Sequence, residues 1–293
     1  MQTMVLAALL AAVFAFFVQS LQARLRAVFQ RMPATIWLVP ALLTALFSAA
    51  AVLARTFSAA LALLVLVYTA APAACVYTSG PGPAARPAVL DCLAVLLLWL
   101  PLEFAAGARL VARPAQGFLH SVAYGIAILL GLTLFLAFRA MPTMKCSPPR
   151  TRRDLWLPLA GFALSAPILV AVGIAVGFIP PPHLPGQPAG HMAAALGLIF
   201  AGTALPEEIL FRSLIQNFLM QRFGSSTRVL IAASLIFGAA HLDNGPQPLP
   251  NWRYMILATI AGVAYGKVFE RSSTLLSSAA LHTLVDWTKH FFF

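Results

Sequence analysis

The chain has 293 residues, is 61% hydrophobic and 9% charged, and carries a net charge of +11 with a mean hydropathy of +0.88. A soluble domain is nearer half apolar and a quarter charged, so too little polar surface exists here to cover a water-soluble core. These values exclude a soluble globule and indicate an integral membrane protein.

The first segment, "MQTMVLAALLAAVFAFFVQ", is apolar, and its basic residues Arg24, Arg26 and Arg31 follow it. A signal peptide carries its positive charge first, so this segment is expected to be a retained helix with its N-terminus outside. Further apolar segments fall at 36–54, 58–78, 88–106, 117–140, 155–179, 191–205, 207–222, 227–241, 252–269 and 273–290. Their lengths predict about eight to ten membrane spans. The count depends on whether Pro206 kinks one long helix or divides two, since proline removes an internal hydrogen bond. Backbone groups in lipid must be satisfied internally, and these runs are too apolar for barrel strands. The expected fold is all-α, a polytopic membrane helical bundle.

Pro/Gly-rich connections at 79–87, "SGPGPAARP", and 180–190, "PPPHLPGQPAG", punctuate the chain. The second separates a region of residues 1–180, with little polar content in its helices and no evident role, from a polar-rich region of residues 190–293. Asp91 and Glu103 lie near the ends of one N-terminal segment, where snorkelling to the interface accounts for them. The basic residues sit mostly in connections such as "QARLRAVFQR" and "KCSPPRTRRD". That is the pattern of charges that set topology beside lipid headgroups, not a nucleic-acid-binding stripe. The expected partner is the lipid bilayer, and no nucleic acid. Cys75, Cys92 and Cys146 are widely spaced and contain no C-x-x-C, so they form neither a disulfide framework nor a zinc knuckle. Gly262 and Gly266 make a small-xxx-small pair suited to close helix packing inside the molecule.

The chemistry concentrates in the C-terminal region. The chain has eight acidic residues, and two of them are adjacent in "LPEEILFRSL", Leu205 to Leu214. Three unpaired charges in a membrane helix cost roughly 7–10 kcal/mol, comparable to the stability of a whole domain. Glu208 and Arg212 are i,i+4 on one helix face and can pair. Glu207 is rotated by about 100° and points elsewhere, as a general base in a low-dielectric site would. "FGAAH" puts Phe237 and His241 one turn apart, and "HTLVD" does the same for His282 and Asp286. A lone histidine in an apolar helix is usually a packing residue. Two on separate helices, beside a glutamate on a third, can hold and polarise one water against a carbonyl. There is no G-x-S-x-G, no H-E-x-x-H and no phosphate-binding glycine loop.

"EEILFR", "FGAAH" and "HTLVD" follow the order E-E-x-x-x-R, F-x-x-x-H and H-x-x-x-[N/D], and so resemble the CPBP family. That family comprises CAAX prenyl proteases of the second type and bacteriocin-processing or immunity proteins, also called the Abi family. The resemblance covers roughly residues 190–290 and implies an intramembrane endopeptidase core with a membrane-associated protein or peptide as substrate. By motif position it implies that Glu207 activates water with help from His241. His282 and Asp286 would line the oxyanion site, with Glu208 and Arg212 as a supporting pair. Many members carry Asn where this chain has Asp286. No cofactor is required by the motifs, although Glu207, His241 and His282 could supply ligands to zinc. Alternatives outside this class are a non-catalytic immunity or scaffold protein and a proton-coupled transporter, but no matching pair of broken helices marks repeated halves. If the basic connections at 222–228 and 267–271 are cytoplasmic, His241 and Asp286 lie nearer the outer face of what is expected to be a bacterial inner membrane.

Overall fold

A computed structural model describes residues 1–83, 86–103, 117–245 and 249–293. Among these residues every regular element is helical, as a membrane bundle requires. The chain forms two compact units, Met1–Met144 and Lys145–Phe293.

In the first unit, α1 (Gln2–Ala15) turns through 83° into α2 (Gln19–Arg31). Helix α2 is amphipathic, with Phe29 buried and Arg24 and Arg31 exposed. Its Arg26 donates from Nε to the Leu136 carbonyl at 2.9 Å. Helices α3 (Leu38–Leu53), α4 (Ala59–Thr78), α5 (Val89–Glu103) and α6 (Phe118–Phe138) follow. Asp91 does not snorkel. It is fully buried and accepts two hydrogen bonds from the Arg139 guanidinium, both at 3.0 Å, while the same guanidinium donates to the carbonyls of Ser79 and Gly80. Burying the carboxylate is tolerable because the planar fork of arginine satisfies both of its oxygens.

The second unit contains α7 (Arg152–Ala175), α8 (Ala189–Phe223), α9 (Thr227–Ala239), α10 (Trp252–Arg271) and α11 (Leu275–Phe292). It begins well before residue 190, because the segment 145–154 is bonded into the corner between α10 and α11. Asp154 closes a capping box with Thr151 and also accepts from the backbone and hydroxyl of Ser273, both at 2.7 Å. Lys145 donates to the carbonyls of Phe269, Glu270 and Ser272 at the C-terminal end of α10. A cation there satisfies carbonyls that have no partner within the helix. The side chains of Ser226, Asn251 and Thr274 cap α9, α10 and α11.

Pro206 does not break α8, which runs for 35 residues. The helix widens to π geometry at Phe200–Ala204 and again at Ile209–Gln216, with the Leu205 amide bonded to the Phe200 carbonyl. A wider turn ahead of the proline takes up the bond its missing N–H cannot make.

Among the described residues, five helical stretches are long and apolar enough to cross a membrane, or six if the bent α1–α2 pair counts as one span. Helices α10 and α11, with 20 and 18 residues, have the length but not the composition. Some of the polar residues that lower their hydropathy, Tyr254, His282, Asp286 and Lys289 among them, face the cleft described below. Gly262 packs against Ser234 and Phe237 of α9, and Gly266 against Leu230 and Gln216, so the small-xxx-small pair serves internal packing.

Candidate active site

A cleft in the second unit encloses about 770 Å³, including the space at its mouth. Glu207 of α8, His241 just beyond α9, and His282 and Asp286 of α11 all line it. One side of its apolar lining comes from Phe162, Ala166, Leu169 and Val170 of α7, and Leu257, Ala258 and Ala261 of α10 add to it. The α7 positions recur at a helical spacing and form one stripe.

Glu208 and Arg212 lie behind the cleft with fully buried side chains, and Arg212 Nε donates to Glu208 Oε2 at 3.2 Å. Arg212 also donates to Gln216 Oε1 at 3.4 Å and lays its guanidinium over the Phe237 ring, 4.9 Å from the centroid. The i,i+4 pairing is therefore present, but Glu208 does more than neutralise an arginine. It accepts from the Ser278 hydroxyl and from His282 Nδ1, the latter at 3.1 Å. One carboxylate thus links α8 to α11 and fixes the orientation of the His282 ring, as outer partners of functional histidines commonly do.

With Nδ1 engaged, His282 presents Nε2 to the cleft, 3.4 Å from Asp286 Oδ2 and 3.9 Å from Glu207 Oε2. The Asp286 contact is the i,i+4 geometry of one helix turn. Asp286 and Glu207 are each about a third exposed at the side chain, in contrast to Glu208. Adjacent glutamates therefore occupy different environments, one sealed in the helix interface and one facing the cleft.

His241 Nδ1 lies 2.8 Å from the Phe237 carbonyl one turn earlier. A carbonyl can only accept, so Nδ1 carries the proton and Nε2 keeps its lone pair in the neutral ring. The ring is held edge-on between Phe237 and Tyr254, at centroid distances of 4.8 and 4.5 Å.

Sequence reasoning passed over Tyr254, Tyr265, Ser278, Lys289 and the α7 stripe. Tyr265 stacks on His282 at 4.5 Å and 20°. Tyr254 and Tyr265 stand eleven residues apart on α10, within about 20° of the same helix face, which is a readable signal. No comparable signal singles out Phe162 or Leu169 from other apolar positions. The donors considered for zinc, Glu207, His241 and His282, are not gathered into a metal-holding group. Among the described residues no set of three or more His, Cys, Asp or Glu is so disposed.

Residues 189–288 match the family described as type II CAAX prenyl endopeptidase, Rce1-like. No curated protein and no solved structure matches the chain. The match spans helices α8 to α11 and all three motifs, and omits α7. The similarity of this integral membrane protein to that family is thus confined to the segment 189–288, which carries Glu207, His241, His282 and Asp286.

Proposed function

We propose that the chain is an intramembrane endopeptidase that cuts a protein substrate near a membrane anchor or C-terminal tail. The observation that carries this reading is the convergence of Glu207, His241, His282 and Asp286 on one cleft walled by apolar side chains. Peptide hydrolysis needs a base to take a proton from water, a second group to hold that water, and donors where the carbonyl oxygen becomes negative.

Glu207 is placed to accept a proton from a water whose other hydrogen is held by the Nε2 lone pair of His241. The water oxygen bonds to the scissile carbonyl carbon, and the C=O electron pair moves onto oxygen. His282 faces that oxygen with Nε2. Asp286 accepts from the single Nε2–H, which it shares with the oxyanion as that charge forms, and Glu208 accepts from Nδ1, so the ring donates on both sides and is held as an imidazolium. Asp286 then serves as a carboxylate that orients His282, where an asparagine would donate to the oxyanion itself. Collapse of the intermediate breaks the C–N bond, and the proton held by Glu207 passes to the departing amine. No step is routed through a metal.

Glu207→Gln and His241→Ala, expressed in cells, test the assignment against the wild type by comparing membrane-proximal processing of exported proteins. Unchanged cleavage products in both variants would reject the protease reading. Elemental analysis of the purified protein decides whether zinc travels with it. We further propose that the chain resides in a bacterial inner membrane with the cleft toward the outer face, on the strength of the basic connections at 222–228 and 267–271. Labelling a cysteine placed at Asn244 only from the cytoplasmic side would reverse that orientation.

A further inference from the structure

Tyr265 of α10 is only 1% exposed, yet it lines the cleft. Its ring lies nearly flat on that of His282, with centres 4.5 Å apart and planes at 20°, and meets the Phe237 ring at 6.0 Å and 67°. The Arg212 guanidinium stands 5.9 Å from its centre. The backbone is clamped as well. The Ser278 hydroxyl lies 3.1 Å from the Tyr265 carbonyl, and Gln216 Nε2 donates to the next carbonyl, that of Gly266, at 3.2 Å. In contrast, the Tyr265 hydroxyl has no hydrogen-bond partner among the described residues. A buried phenol ordinarily finds a partner, because a donor taken from water and left unpaired is unfavourable. Phenylalanine would fill the same space without that cost. The one polar atom of this side chain is thus free for whatever occupies the cleft.

Around His282 Nε2, acceptors outnumber donors. The imidazole has a single Nε2–H, and Asp286 Oδ2 already draws on it from 3.4 Å, with Glu207 Oε2 at 3.9 Å. The carboxylates that act most on the Tyr265 hydroxyl are those of Asp286, Glu208 and Glu207. Asp286 and Glu207 are the two that flank Nε2. A phenol holds its proton at neutral pH and donates without adding charge. Resting on the reading of the cleft as a protease site, we propose that Tyr265 is a further catalytic residue whose hydroxyl donates, beside the His282 Nε2–H, to the oxyanion of the tetrahedral intermediate. The O–H bond stays intact while the C=O electron pair rests on oxygen. When that pair returns and the C–N bond breaks, the hydroxyl is released unchanged. Stacking holds the donor in place beforehand, so little reorganisation accompanies the developing charge.

Tyr254 and Lys289 also line the cleft and carry donors, so their variants accompany that of Tyr265. Full-length wild type, Glu207→Gln, Tyr265→Phe, Tyr254→Phe and Lys289→Gln in phosphatidylcholine nanodiscs are titrated calorimetrically with two capped leucine dipeptides. In one, a phosphinate replaces the central amide and presents a tetrahedral, anionic oxygen. In the other, a ketomethylene group presents a planar, neutral carbonyl. Wild type and Glu207→Gln are expected to prefer the phosphinate. Tyr265→Phe keeps the stacked ring and should lose about tenfold or more in phosphinate affinity, the worth of one hydrogen bond to a charged group. Its ketomethylene affinity and unfolding midpoint should match the wild type. Equal weakening toward both ligands makes Tyr265 a packing residue and overturns the proposal. So does an undiminished phosphinate preference in Tyr265→Phe, with Tyr254→Phe or Lys289→Gln then identifying the donor that carries it. Absence of the preference in the wild type overturns the proposal as well. The preference is read without turnover, in Glu207→Gln as in wild type, so this assignment and the protease reading fail separately.

Discussion

Replacing Arg212 by methionine removes a buried charge and leaves Glu208 facing protein on every side. The pair is separated by 3.2 Å with neither side chain exposed. At an effective dielectric near 20, Coulomb's law gives about 5 kcal/mol for that separation. Breaking a buried pair in soluble proteins costs about 3–5 kcal/mol, whereas polar contacts between membrane helices average only about 0.6. Glu208 retains two donors, Ser278 and His282, after the substitution, which sets the expectation at the lower end, about 3 kcal/mol. Reversible unfolding of the full-length protein in mixed micelles measures this for Arg212→Met, Glu208→Gln and the double variant. Either single change strands a charge, so the double variant should be more stable than the sum of the two losses predicts. It should not recover cleavage, because His282 Nδ1 has lost its carboxylate anchor. A loss below about 1 kcal/mol for Arg212→Met, or strict additivity in the double variant, refutes the argument that Glu208 is sealed against compensation.

Four other outcomes follow from the same geometry. His241→Ala should lower kcat by about 10²–10⁴ with little change in unfolding midpoint, and an effect confined to KM contradicts its place beside the water. Asp286→Asn should retain activity within about tenfold, since the amide oxygen still accepts from His282, and Asp286→Ala should fall well below it; equal losses dispose of the orienting role. A Cβ on Gly238 would lie 2.7 Å from the Met255 backbone carbonyl and 2.0 Å from Thr259 Oγ1, so Gly238→Ala should destabilise the α9–α10 contact by about 1–3 kcal/mol in the same unfolding assay. Burial pushes the Cys146 thiol up to about 12, outweighing the lowering effect of a hydrogen bond with Ser213, and a maleimide at pH 8 should label it only after unfolding; prompt native labelling would show an open pocket there.

How far the sequence reveals this arrangement depends on the range of each interaction. The Glu208–Arg212 pair and the His282–Asp286 contact are local, set by one helix turn, and the spacing predicts both. The divergence of Glu207 from Glu208 is likewise a matter of 100° of rotation per residue. The continuity of α8 through Pro206 is not legible, because it depends on two π stretches whose cost tertiary packing meets. The burial of Asp91 could not be read either. Its partner Arg139 is 48 positions away, and a carboxylate near a helix end looks the same whether it snorkels or pairs. The extent of the C-terminal unit hides for a similar reason. Asp154 reads as an ordinary capping residue until Ser273, 119 positions on, donates to it.

The adjacent glutamates couple two distances in the cleft. Glu208 is bound by three donors on two helices, so its position sets where α11 stands relative to α8. Glu207 is the next residue on the same helix, so any shift that loosened Glu208 would move Glu207 and His282 by unequal amounts. A base and an oxyanion donor must keep their separation to within a fraction of an ångström to remain useful. Building the base beside the residue that holds the opposing helix ties the two distances together. On the proposed protease reading, the arginine acts through position alone, as the counter-charge that lets such an anchor exist in an apolar setting.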